Sequence, residues 1–299
     1  MKVFVTGASG WIGQAASAEL VRRGHEVLGL ARSEEGATRV VATGARVLRG
    51  DLDELDTLRE GARGVDAVIH LANKHDFGDP AASNRAERAA VQTFVDELAG
   101  SGRPFLFASG LAGAQPGVPL TEHDASPHIG PDSMRGGAEH LALGSADRGL
   151  VPVALRFAPT VHGAGDHGFV SVIAGVARRR GVSGYPGEGE NRWAAVHRDD
   201  LARLIALVLA DPGRADGVVH GVAEQGVPTR EIAEAIGRVL GLPVATVEAD
   251  RVLDHFGWIG RFFGADLQAS ARLTRERYGW EPIEPGLIAD IEAGAYGTE

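Results

Sequence analysis

The stretch that most narrows the folds open to this chain is TGASGWIG, residues 6–13, set between the apolar run KVFVT and a helical pattern beginning at Trp11. Gly7, Gly10 and Gly13 stand there at G-x-x-G-x-x-G spacing. Glycines so placed permit a tight turn, let the backbone approach a pyrophosphate and bring helix and strand close, while the helix N-terminus offers free N–H groups to the anion. Three spaced glycines in a chain that holds 42 carry little meaning alone. Their place between a strand and a helix is what gives them meaning. The loop predicts a dinucleotide site built from Gly7, Ser9, Gly10, Trp11, Ile12 and Gly13.

The unit then repeats. A helix from Trp11 to about Gly24 leads to HEVLGLA, a helix near 34–43 to ARVLRG, and a helix near 53–63 to DAVIHLA. A helix over 80–100 precedes PFLFAS, and one over 133–149 precedes VPVALRF. Strands alternating with helices of this length imply a parallel sheet covered on both faces. Beyond about 160 the pattern loosens into Gly-rich loops at 163–168 and 181–189 and helices near 199–210 and 228–240. The expected architecture is α/β. A doubly wound parallel sheet with its dinucleotide site occupies residues 1–160, and a smaller C-terminal, mainly substrate-binding lobe occupies 161–299, with segments returning to the first sheet.

Composition excludes several classes of function. A net charge of −10 opposes a nucleic-acid partner, which calls for a basic field on one face. With no cysteine, disulfides and thiolate chemistry are out, and a reducing cytoplasm is the expected location. Only Lys2 separates Met1 from VFV, and the longest apolar run, LIALVLA at 204–210, is far short of a membrane span.

The second strand ends in GLARS, where an NAD site commonly carries an acid for the ribose 2′-hydroxyl. Arg32 and Ser33 stand there instead. A guanidinium makes charge-assisted hydrogen bonds of about 1.5–3 kcal/mol to a 2′-phosphate, so NADP(H) is the expected cofactor. Asp51 and Leu52, after the third strand, are expected at the adenine edge, although a helix cap explains Asp51 or Asp53 equally. Leu71, Ala72, Ala108, Phe157 and Val161, at the ends of later strands, complete the expected cofactor crevice.

With TGASGWIG, the GDLD after strand three, VIHLA closing strand four and RFAPTVHG later on, the chain resembles the extended type of the short-chain dehydrogenase/reductase superfamily. RWAAVHRDDLARLI is similar to the family's aromatic-V-H-x-D-D-x-A segment, and TREIAEAIGRVLG and TRERYGWEP carry the likeness to the C-terminus. HGAGDHGF and HFGW bring it nearest the atypical, epimerase/dehydratase-like NADP-binding branch, in which the usual catalytic set is poorly kept. The resemblance implies a Rossmann-type sheet. It also implies a reaction run by a tyrosine and a lysine as Y-x-x-x-K, opening the helix before the RFAPT strand, plus an upstream serine. This chain departs from that pattern. Its tyrosines are Tyr185, Tyr278 and Tyr296 and its lysines Lys2 and Lys74, none at that spacing, and the corresponding stretch reads PDSMRGGAEH, 131–140. One frame sets Pro131 on the tyrosine and Arg135 on the lysine; another sets Arg135 on the tyrosine and Glu139 on the lysine. Arg135 cannot give up its proton at ordinary pH, so it would hold the ribose or stabilise an oxyanion. In FASG the family serine falls on Ser109 or Gly110, and only Ser109 offers a hydroxyl, to polarise a carbonyl or to bond its own backbone. Glu87 falls near the family's helix-four asparagine or its acidic substitute, where a solvated helix charge is the simpler reading.

Carbonyl reduction needs a proton source. NKHDF, after strand four, presents Lys74, His75 and Asp76 on the ligand edge, and histidine is the commonest general acid near neutral pH. His162, in TVHG, takes the place of a family aromatic beside the nicotinamide pocket. Asp166 and His167 follow in a run that matches neither H-E-x-x-H nor a closed ligand set, so no metal is expected. Arg192 and Trp193 suit the cleft or the core, and His197 the join between the halves. The expected function is an NADP(H)-dependent oxidoreductase reducing a small ketone or aldehyde, with Ser109, His75, His162 and Arg135 as the catalytic set. Its partner is a small carbonyl substrate, with no nucleic acid or membrane and a homodimer left open. A nucleotide-sugar epimerase or dehydratase, and an NADP-binding sensor without turnover, are the alternatives.

Overall fold

Burial of period two builds the sheet. In the computed structural model, which describes residues 1–74 and 78–297, the first half alternates β1 (Lys2–Thr6), α1 (Trp11–Arg22), β2 (Glu26–Ala31), α2 (Glu34–Ala42), β3 (Arg46–Arg49), α3 (Leu55–Ala62), β4 (Ala67–His70), α4 (Pro80–Leu98), β5 (Pro104–Gly110), α5 (Ala138–Leu143) and β6 (Val151–Phe157). The second half runs β7 (Thr160–His162), α6 (Phe169–Arg180), β8 (Ser183–Pro186), β9 (Arg192–His197), α7 (Arg198–Ala210), β10 (Val218–Gly221), β11 (Glu224–Pro228), α8 (Thr229–Leu240) and β12 (Val244–Val247), then short helices. Val3 and Val5 turn to one face of β1 and Phe4 to the other; Ile69 and Val68 divide likewise on β4, and Leu106 and Phe105 on β5. The first core takes α1 and α7 through Leu20, Leu204 and Ile205. The second takes α3, α4 and α5 through Leu58, Phe94 and Ala138. Each fully buried large apolar side chain contributes about 1.5–3 kcal/mol, so neither layer of helices is dispensable.

Seven strands lie in the order β3-β2-β1-β4-β5-β6-β10, every pair parallel. This is a Rossmann-type sheet. Strand order reverses between β1 and β4, the place where open α/β sheets bind ligands beyond the carboxyl ends of their strands. From the second half, β10 enters this sheet beside β6 and α7 packs on α1. A smaller sheet, β11-β9-β7, and the pair β12-β8 surround a third core that contains Trp193, Ile232 and Phe263. No helix among the described residues is long and apolar enough to cross a membrane.

Three expectations are corrected. The helix over 133–149 is broken: α5 covers only Ala138–Leu143, because Arg135, Gly136 and Gly137 take left-handed φ of 55°, 62° and 61°. Glycine is required by contact as well as by angle, since a Cβ on Gly136 would lie 2.4 Å from the Asn84 carbonyl oxygen and one on Gly137 2.3 Å from that of Ile129. Helix α6 forms where no element was expected. Its β-branched residues weaken helix propensity, but Val170, Ile173, Val176 and Ala177 bury one face in the third core. The loop 181–189 contains β8, which pairs parallel with β12.

Candidate active site

The glycine loop needs its glycines for close contact as well as for backbone angle. Gly7 has φ of +68°, and a Cβ there would meet the Ala72 nitrogen at 2.6 Å; one on Gly13 would fall 2.0 Å from the Gly7 carbonyl oxygen. The loops after β1 and β4 therefore press backbone on backbone, with Leu71 and Ala72 half-buried beside Gly7. Gly10 opens α1 with no side-chain cap and no acid in the first turn, which leaves the first N–H groups for an anion. This cradle fits the pyrophosphate of a dinucleotide, since side chains at Gly7 or Gly13 would fill it. Trp11, at the start of α1, donates from its indole N–H to the Val161 carbonyl at 2.8 Å, and the Arg198 guanidinium stacks 4.0 Å from its ring centroid. Val161 and the glycine loop are thereby joined, and Arg198, which opens α7, adds a cation that no local motif announces. Ile12 is half-buried against the first core, Ala108 is buried and Phe157 ends β6 opposite Gly110.

At the end of β2, Arg32 is exposed and makes no hydrogen bond or ion pair among the described residues. The Ser33 hydroxyl is spent on capping α2, accepting from the Gly36 N–H at 3.1 Å. A second guanidinium joins that of Arg32: Arg39, about two turns beyond it in the last turn of α2, donates to the Ser9 carbonyl at 3.2 Å and so lies against the glycine loop itself. The helical spacing from Arg32 was the available signal. Asp51 accepts from the Asp53 N–H at 3.2 Å, and Leu52 is buried in the second core, so both side chains are engaged in the fold.

At the end of β5 the Ser109 hydroxyl donates to Glu139 at 2.5 Å, and Glu139 is paired with Arg156 at 2.5 Å, all three being buried. With its proton committed to a carboxylate, Ser109 presents lone pairs to a ligand and serves as an acceptor, contrary to the expected carbonyl-polarising role. The shifted frame set Glu139 on the family's lysine, and the structure makes that residue the centre of a buried network. Arg135 donates to Glu87 at 2.6 Å while its own N–H bonds Asn84 Oδ1 at 2.8 Å. Glu87 is only 1% exposed, which corrects its reading as a solvated charge.

Burial by itself would raise the Glu87 pKa, but the Arg135 charge, reinforced by His70, holds it at about 2. Between the ordinary carboxylate range and that value the unfolded chain binds more protons, so this pair contributes stability above about pH 5 that is lost as pH falls towards 2, roughly 3 kcal/mol in all. Urea unfolding of Glu87→Gln should show lower stability at pH 6 but a shallower decline in acid than the native chain. Parallel slopes would contradict this account.

The expected proton donors fare differently. His75, with Asp76, lies outside the described residues. His162, the last residue of β7, is fully buried, its Nδ1 2.5 Å from Asp290 Oδ2 and its Nε2 buried with no hydrogen-bond partner among the described residues. Burial, opposed by Asp290, lowers its pKa. Its Nδ1 contact thus ties the end of β7 to the C-terminal helical segment within the second half, which gives His162 a structural place in the fold. Lys74 pairs with Asp53 at 2.5 Å. Trp193 is core, Asp166 accepts from Tyr296, and His197 caps α7. The cleft beside β5 is lined by Ala108, Ser109, Arg135 and Glu139, and by Ser126 and His128 from the loop before α5. The last two were not anticipated, because that loop carries no periodic pattern.

A family model described as the NAD dependent epimerase/dehydratase family matches residues 3–220. An uncharacterized protein of Saccharomyces cerevisiae is 42% identical over 98% of each chain. The 2-alkyl-3-oxoalkanoate reductase of Stenotrophomonas maltophilia is 29% identical, covering 81% of this chain and 77% of its own. Among solved structures, the dTDP-glucose 4,6-dehydratase of Streptomyces venezuelae, with NAD bound, superposes with a TM-score of 0.78 at 21% identity, over 99% of this chain and 96% of that one.

Proposed function

Since the chain belongs to the NAD dependent epimerase/dehydratase family, whose members use a nicotinamide dinucleotide, we propose that it is an NADP(H)-dependent oxidoreductase that reduces the carbonyl of a small organic substrate. One observation carries the cofactor choice. Arg39 reaches the Ser9 carbonyl of the glycine loop at 3.2 Å, and Arg32 stands exposed one residue past the end of β2. Glu34 and Glu35, in the first turn of α2, are paired with Arg49 and Arg39. The reductase among the relatives supports the carbonyl reading. When bound, the nicotinamide would supply a hydrogen with its electron pair. The chain's own residues do the rest. Gly7, Gly10 and Gly13 admit the pyrophosphate, Arg32 and Arg39 select the 2′-phosphate, and Ser109 and Arg135 border the place where the carbonyl binds.

NADPH should raise the melting temperature more than NADH at equal concentration. Arg32→Ala should weaken NADPH binding by about 10- to 150-fold, the worth of a charge-assisted bond to phosphate, while sparing NADH. Equal shifts from both nucleotides in the native chain would overturn the assignment. NADPH consumption across a panel of ketones and aldehydes tests the chemistry. One observation favours a second reading: with the Ser109 proton held by Glu139 and no tyrosine at the reacting position, a nucleotide-binding protein without turnover has the same geometry. NADPH binding with no oxidation by any carbonyl would select it.

A further inference from the structure

Resting on the carbonyl-reductase reading, we propose that His128 is the catalytic proton donor in a chain that has no tyrosine at Y-x-x-x-K spacing. The argument starts from what the cleft beside β5 offers. Arg135 is tied to Glu87 and stays protonated at any working pH. The Ser109 proton is directed at Glu139, and Glu139 is held in turn by Arg156. The Ser126 oxygen accepts from the His128 backbone N–H at 3.3 Å. Among the described residues lining the cleft, His128 alone is of a type that gains and loses a proton near neutrality. Its ring makes no hydrogen bond among the described residues and is half-buried, so it reaches both cleft and solvent.

The loop that carries it is fixed at both ends by groups already in the site. Upstream, Arg156 donates from Nη1 to the Asp124 carbonyl at 2.7 Å, so the cation that pairs with Glu139 also sets the loop. Downstream, Ile129 and Gly130 pack against Gly137, whose left-handed φ of 61° leaves no room for a Cβ. The broken turn at MRGG therefore has a use. It trades the helix that would carry a Y-x-x-x-K dyad for close approach of the His128 loop. In the reaction the carbonyl carbon gains the hydrogen and electron pair that the reduced nicotinamide supplies, and the carbonyl π pair withdraws to oxygen. The imidazolium N–H bond breaks as the O–H bond forms. The product is an alcohol, and the neutral imidazole regains its proton from hydronium or buffer acid in the solvent, so that the reaction consumes one proton overall.

His128→Gln should lower kcat by about 10²- to 10⁴-fold, the range for loss of a placed general acid. NADPH affinity should stay within about threefold, and the fall in native kcat with rising pH should disappear. His140→Gln, on the exposed side of α5, should behave as the native chain. A second readout needs no cofactor: phenacyl bromide, an alkylating ketone, should modify His128 with saturating kinetics and ahead of the more exposed His123 and His140, as read by peptide mass. If the native chain reduces carbonyls and His128→Gln does so equally with the same pH profile, or if His75→Gln alone abolishes turnover, this assignment is wrong while the reductase reading stands. Labelling that follows exposure alone also counts against it. If NADPH binds and no carbonyl is reduced, both fall together.

Discussion

Gly13→Ala will abolish nucleotide binding, with the affinity for a nicotinamide dinucleotide reduced by more than about 100-fold, on the order of 3 kcal/mol. The added methyl would lie 2.0 Å from the Gly7 carbonyl oxygen, 2.7 Å from the Gly7 carbonyl carbon and 2.8 Å from the Ala8 Cα. None of these is the yielding tip of a side chain. Relief requires α1 to slide away from the loop, and with it the first-turn N–H groups that Gly10 leaves uncapped. Helix α1 is also wedged against α7 in the first core, so the movement costs about 1–3 kcal/mol of stability as overpacking. The measurement is a fluorescence titration with NADPH beside urea unfolding without it. Gly213→Ala, where an added Cβ meets nothing closer than 3.9 Å, serves as control. An unimpaired titration for Gly13→Ala would mean that the nucleotide does not rest on this loop.

Arg156→Met should destabilise the chain by about 3–5 kcal/mol, because it leaves the Glu139 carboxylate buried without its cation. Glu139 is 6% exposed and Arg156 5%, so water cannot replace the lost partner. For a chain of this size that corresponds to a melting point lower by roughly 6–15 °C. The double substitution Arg156→Met/Glu139→Leu should recover most of the loss, since a buried pair replaced together by apolar groups is close to neutral. The same arginine holds the Asp124 carbonyl, so the single variant should also loosen the loop before α5. A double variant no more stable than the single one would refute the claim that the uncompensated carboxylate is the cause.

Much of the cofactor half was legible in the residues. The period-two burial of VFV, AVIH and FLFA and the helical stretches between them specify a parallel sheet with both faces covered, and the glycine loop marks its switch point. The failures share a cause. MRGG reads as the start of a helix because no neighbour in sequence reports that Asn84 and Ile129 crowd its two glycines. FVSVIAGVARRR reads as nothing regular because its stabilisation comes from Trp193 and Ile236, far along the chain. Glu87 looks solvated until α4 is seen to turn it towards Arg135. His162 looks like a proton donor until Asp290, 128 residues away, takes its Nδ1.

Local spacing thus determined the strand-loop-helix cradle, the absence of a Y-x-x-x-K pair and the presence of an arginine after β2, since each depends on residues within a turn or two of one another. Only tertiary structure decided that Ser109 faces Glu139, that Arg39 reaches the glycine loop and that His128 shares a cleft with Arg135. Those meetings are set by how α4, α5 and the 124–130 loop pack on the sheet, and a linear pattern carries no record of which side chains a fold brings within 3 Å.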